Sequence, residues 1–114
     1  MKYSYKRADR VKDIIFREIS QMITSREVKD PRVESAVITN VELSDDLSHA
    51  KVYFMPLTEG MDVKDMLKGF KSSTGFIRKK LADRIKIKRM PELEFRYDEF
   101  LKKSHQLDDL IKDL

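Results

Sequence analysis

The stretch VKDMLKGFKSSTGFIRKKLADRI, residues 63–85, carries two helical patterns with a run of poor helix formers between them. Val63, Met66, Leu67 and Phe70 recur at the spacing of one helix face, and Asp62 stands where a side chain can cap the first turn. Ser72-Ser73-Thr74-Gly75 then supplies four residues of low helix propensity. Phe76, Ile77, Leu81 and Ile85 resume a helical pattern at once and are expected to face the core. The spacing predicts two helices, or one sharply kinked helix, broken near Ser73–Gly75. The second half is basic: Arg78, Lys79, Lys80, Arg84, Lys86, Lys88 and Arg89 fall within twelve residues. A helix beginning here would present the free backbone N–H groups of Ser73, Thr74 and Gly75 beside those cations. A helix N-terminus favours phosphate through its unpaired donors and its dipole.

Upstream, Val11, Ile14, Ile15, Ile19, Met22 and Ile23 predict an amphipathic helix over 8–25. Lys29-Asp30-Pro31-Arg32 should stop it, because the residue before a proline is pushed out of the α region. Residues 36–43 are β-rich. Strict alternation puts Val37, Thr39, Val41 and Leu43 on one face and Ala36, Ile38, Asn40 and Glu42 on the other. Ser44-Asp45-Asp46-Leu47-Ser48 is turn chemistry, and 49–55 reads as a second strand with Ala50, Val52 and Phe54 inward. Such a pair is an antiparallel hairpin. Pro91 opens a third strand with Leu93, Phe95 and Tyr97 on one face. Leu107, Leu110, Ile111 and Leu114 predict a short C-terminal helix. The expected organisation is a basic arm over 1–7, one domain over 8–98 and a tail over 99–114. The order α-β-β-α-kink-α-β, with a three-stranded sheet covered by helices, is α+β and matches a type II KH-like domain. A KH domain clamps a nucleic-acid backbone with a Gly-x-x-Gly loop. Ser72-Ser73-Thr74-Gly75 occupies that place here.

The whole chain has 114 residues and a net charge of only +4. The charge is unevenly spread: residues 64–89 carry 10 basic and 2 acidic side chains, net +8. That is the footprint of a nucleic-acid binder. Lys6, Arg7 and Arg10 of the N-terminal arm are a second candidate contact. The chain has no cysteine, which excludes disulfides, thiolate metal sites and a cysteine nucleophile, and its two histidines are isolated. Asp45-Asp46 and Asp108-Asp109 are adjacent pairs with no third ligand at a useful spacing. Phosphate-loop and dinucleotide fingerprints are absent. No enzyme, metal or cofactor is expected. The opening residues lack the apolar core of a signal peptide and no apolar run reaches membrane length, so a cytoplasmic protein without a membrane partner is expected.

Six stretches, taken in order, resemble the bacterial ribosome-binding factor A family. They are Arg7-x-x-Arg10-Val11, Lys29-Asp30-Pro31-Arg32, Val41-Glu42-Leu43-Ser44-x-Asp46-Leu47, Ala50-Lys51-Val52-Tyr53, Gly75-Phe76-Ile77-Arg78 and Pro91-Glu92-Leu93-x-Phe95-x-Tyr97-Asp98. Each is weak alone; six at family spacing are specific. The family often has an Ala-x-Gly interruption where this chain has Ser73-Thr74-Gly75, and Ser104 stands where many relatives have Gly. The resemblance implies a type II KH-like fold and a non-catalytic assembly factor. Its partners would be the free 30S subunit and 16S ribosomal RNA, during late maturation and 5′-end processing, with a role in growth in the cold. A monomer is expected. Two other readings fit the residues: a module docking a ribosomal protein without touching RNA, and a metal-dependent nuclease using Asp45 and Asp46.

Overall fold

In a computed structural model, which describes residues 7–101 and 103, the stripe Val11, Ile15, Ile19, Met22 and Ile23 is the buried face of helix α1 (Arg7–Thr24). The helix ends before the expected stop at Lys29–Arg32. Arg26 takes a left-handed conformation (φ 60°), its N–H donates to the Ile23 carbonyl at 3.1 Å, and the Glu27 N–H reaches the Met22 carbonyl at 2.9 Å. This is a Schellman closure with arginine where glycine is usual, so no glycine marks it in the sequence. Asp30 then accepts from Nε and Nη2 along one edge of the Arg32 guanidinium, at 3.0 and 2.8 Å, and accepts the Arg32 backbone N–H at 2.9 Å. The side-chain bond from Arg32 holds the Asp30 carboxyl below its ordinary pKa.

Strand β1 (Ala36–Leu43) pairs antiparallel with β2 (His49–Pro56), and β2 pairs parallel with β3 (Glu92–Tyr97), so β2 is central. β2 alternates as expected: Ala50, Val52 and Phe54 are fully buried. β1 does not. Its pairing passes from Ile38↔Phe54 to Asn40↔Tyr53, leaving Thr39 as the extra residue of a bulge. The bulge changes the phase of burial: Ala36 and Ile38 are buried before it and Val41 after it, while Val37 is exposed. The strict two-face division expected for this strand is therefore corrected at Thr39. The Thr39 hydroxyl donates to Asp98 Oδ2 at 2.6 Å. Asp98 also accepts the Leu101 N–H at 3.0 Å, capping the helical turn that begins at Glu99. The expected C-terminal helix through Leu107, Leu110, Ile111 and Leu114 lies outside the described residues.

Between the hairpin and β3 runs a single helix, α2 (Val63–Arg84), with Asp62 accepting the Lys64 N–H as its N-cap. Helical structure is unbroken through Ser72–Gly75, so the expected break does not occur. These four residues cost roughly 2–3 kcal/mol against alanine. Burying Phe70 and Ile77 on either side of them is worth about 3–6 kcal/mol, which decides for the helix. Thr74 loses no hydrogen bond, since its hydroxyl donates to the Phe70 carbonyl at 2.8 Å. Continuity sets which residues face inward: Met66, Phe70, Ser73, Ile77 and Leu81. Phe76 falls off that stripe and is 42% exposed, correcting its expected place in the core.

The Phe70 ring stacks on Phe95 at 4.4 Å and meets Phe54 at 4.7 Å, pinning α2 to β3 and β2. One residue earlier, Gly69 lets the helix touch the turn after Pro31: a Cβ there would stand 2.8 Å from Arg32 Cβ and 2.9 Å from Val33 Cγ1. Gly75 has nothing within 4 Å of such a Cβ. Gly69→Ala should therefore lower the unfolding free energy by about 1–2 kcal/mol after the gain in helix propensity, and the urea midpoint with it. Gly75→Ala should raise stability by about 0.5–1 kcal/mol. Equal shifts of the same sign in the two unfolding curves would contradict this packing.

Candidate nucleic-acid interface

At about 100° per residue, Lys64, Lys68, Lys71, Gly75 and Lys79 of α2 share the side opposite the core stripe, within about 80° of arc. All five are exposed. The row repeats the core stripe with a two-residue offset, so the phase that buries Phe70 and Ile77 also lines up the lysines. It runs about 22 Å along the helix. Two predicted helices meeting at a break would not have joined Lys64, Lys68 and Lys71 to Lys79, and these three are candidate site residues that sequence reasoning missed. The signal was present as the spacing of four, three, four and four, legible only if the helix is continuous.

The predicted cations separate into two groups. Arg78 reaches from α2 to the segment before β3, donating to the carbonyls of Met90 at 3.1 Å and Pro91 at 3.2 Å, with Glu92 at 3.6 Å. Arg84 donates to Glu18 of α1 at 3.3 Å and also to Glu27 just past α1, and its bond to Glu27, then that to Glu18, raise its pKa. Both arginines therefore hold elements together. Lys79, Lys86, Lys88 and Arg89 are exposed and Lys80 is half-buried, and none of the five forms an ion pair among the described residues. The Lys80 ammonium lies 5.6 Å from the centre of the Phe76 ring. Lys86, Lys88 and Arg89 sit on the segment that Arg78 anchors.

Ser73, Thr74 and Gly75 do not offer free backbone donors, because their N–H groups lie inside an unbroken helix. Ser73 is buried in the core stripe, while Gly75 lies in the exposed lysine row as bare backbone. Arg7 and Arg10 are exposed on the first turns of α1, about two to three turns from Glu18, where Arg84 lands. Lys6 is outside the described residues.

The acidic turn has another use. Asp46 Oδ1 accepts from the Ser44 hydroxyl at 2.8 Å, the Ser48 hydroxyl at 2.7 Å and the Ser48 N–H at 3.0 Å. Leu47 completes the turn with φ 63°. Among the described residues no group of three or more histidine, cysteine or acidic side chains could hold a metal ion, and no helix is long and apolar enough to cross a membrane. Tyr53 is half-buried and its hydroxyl donates to Glu42 at 3.2 Å.

A family model described as "Ribosome-binding factor A" matches residues 7–111. The chain is 41% identical over 113 residues to the ribosome-binding factor A of Azoarcus sp. (strain BH72), covering 99% of this chain and 89% of the relative. The crystal structure of ribosome-binding factor A from Thermus thermophilus superposes with a TM-score of 0.69 at 24% identity, over 79% of this chain and 93% of that one. A Thermus thermophilus ribosome binding factor A homology model fitted into the cryo-EM map of a 30S complex gives 0.56 at 22% identity, over 73% and 90%. These likenesses carry the fold, α+β and KH-like.

The Asp46 turn gives a pH test. The hydrogen bonds from Ser48, then Ser44, lower its pKa from 3.8 to about 2. The turn is thus fully favoured above pH 3.8, and the contribution is lost as pH falls through about 2. An NMR titration should show the Asp46 carboxyl and the Ser48 amide shifting together near pH 2. Ser48→Ala should move that midpoint up towards the ordinary value.

Proposed function

Because this chain belongs to the ribosome-binding factor A family, we propose that it is a non-catalytic assembly factor that binds the free 30S subunit through 16S ribosomal RNA. It acts in late small-subunit maturation, supporting 5′-end processing of that RNA. The observation that carries the reading is the lysine row of α2, continued by Lys86, Lys88 and Arg89. Lys64, Lys68, Lys71 and Lys79 stand on one rigid element, so they meet a polyanion together without first being ordered. Gly75 leaves the helix backbone uncovered between Lys71 and Lys79, allowing close approach at the middle of the row.

Phosphate contacts supply affinity and position but little sequence information. Specificity then comes from the shape of the RNA that the row fits. A factor holding an immature RNA conformation needs only a higher affinity for that state than for the mature one. Release follows when the RNA refolds, with no bond made or broken.

The triple variant Lys68→Glu, Lys71→Glu, Lys79→Glu should lose co-sedimentation with free 30S particles while keeping its unfolding midpoint, since all three side chains are exposed. With about six phosphate contacts, wild-type affinity should fall roughly a thousandfold between 50 and 200 mM salt. Each single Lys→Ala change in the row should reduce the salt slope by about 0.7–0.9. Arg84→Ala should do the reverse, lowering the unfolding midpoint with the salt slope intact. A folded triple variant that still co-sediments would refute the assignment.

A further inference from the structure

Beside the lysine row, the loop after α1 and the middle of α2 enclose a groove of about 590 Å³, lined by Val28, Lys29, Ser72, Ser73, Phe76 and Lys80. Phe76 is the apolar surface of this groove that stays open to solvent, at 42% exposed. The core does not need it, since the inward stripe of α2 is complete without it.

The charge of the groove is settled by who already holds its acids. Glu27 and Asp30 also line it, but Glu27 is bonded to Arg84 and Asp30 to Arg32. Lys29 and Lys80 have no ion-pair partner among the described residues, so the groove is lined by two unpaired lysines and one aromatic ring. Lys80 sits against that ring, and the exposed Ser72 adds a hydroxyl that can both donate and accept. An aromatic face flanked by cations takes a group that is flat and apolar on one side and anionic on the other. A nucleotide has that form, with its base for the ring and its phosphates for the lysines.

We propose that this groove seats one unpaired base of an RNA strand against the Phe76 ring, with Lys29 and Lys80 on the adjoining phosphates. The inference rests on the reading of the chain as an RNA-binding factor and deepens it. A strand lying on the row at Gly75 and Lys79 passes one residue from Phe76 along α2. An unpaired base there turns off the row into the groove; a paired base inside a duplex cannot. The lysine row would then supply affinity for any RNA backbone, and the groove would supply preference for a single-stranded segment.

The chain has no tryptophan, so Phe76→Trp places a single reporter in the groove. Its fluorescence should be quenched by an unstructured ten-nucleotide RNA at low salt, and much less by a duplex carrying the same number of phosphates. Phe76→Ala should weaken binding of the single strand by about five- to a hundredfold and change duplex binding by less than about twofold. Phe76→Tyr should restore single-strand binding. Equal losses on single strand and duplex, an unquenched indole at saturating single strand, or no binding of the oligonucleotide would each overturn the base-seating role. The two readings fail separately. A Phe76→Ala protein with wild-type single-strand affinity and intact 30S co-sedimentation removes the groove and keeps the assembly factor. Co-sedimentation that survives the triple lysine reversal removes the RNA-bound assembly factor itself.

Discussion

The phase that α2 keeps from Val63 to Arg84 sets the rest of the molecule. A helix turning about 100° per residue separates positions two apart by more than half a turn. The stripe Met66, Phe70, Ser73, Ile77, Leu81 and the row Lys64, Lys68, Lys71, Gly75, Lys79 are the same pattern two residues out of step. The aromatic contacts of Phe70 with Phe95 and Phe54 fix the inward face. The outward face then follows without further specification. Any slip in the helix at Ser72–Gly75 would scramble both sides together.

The basic residues divide by chemistry. Four guanidinium groups are held by other residues of the protein, Arg32 by Asp30, Arg78 by two carbonyls, Arg84 by two carboxylates and Arg96 by Glu94, whereas Arg89 is exposed without an ion pair among the described residues. Lys64, Lys68, Lys71 and Lys79 of α2 face water, while Lys80 lies half-buried beside Phe76. A planar fork with five donors suits fixed, multiply bonded positions, while an ammonium on a flexible stem suits contact with a backbone of varied geometry. Counting basic residues in the chain therefore overstates the free cations near Arg78 and Arg84. It includes Lys64, Lys68 and Lys71 but does not show that they share one face with Lys79.

Much of this was legible in order and type. The helix over 8–25, both strands of the hairpin, the Asp62 cap and the inward Ala50, Val52 and Phe54 follow from periodicity, because each is a local pattern serving one face. Three features were not legible, each for a tertiary reason. Ser72–Gly75 read as a break because propensity is local, whereas the burial of Phe70 and Ile77 that overrides it is not. Thr39 read as an ordinary alternating residue because a bulge shows only in the pairing partner. The end of α1 was placed within one residue, but what closes it was assigned to the proline segment because an arginine, not a glycine, holds the left-handed position. The error at Ser72–Gly75 carried over to the site, assigning free backbone donors to residues inside a helix and placing Phe76 in the core.

The Thr39–Asp98 hydrogen bond has a mechanical side. β1 and β3 are the two edges of the sheet and never pair with each other. The bulge turns Thr39 so that its hydroxyl reaches past β2 to the residue that ends β3, and the Asp98 N–H meanwhile bonds the Phe54 carbonyl of β2. The sheet is thus laced across its width at this one end, by a stitch that includes the cap of the following helix. Both edges are thereby tied to β2 at the same point, beside Ile38, Phe54 and Tyr97. A deletion of Thr39, harmless to the length of the strand, would cut the stitch and release three elements at once.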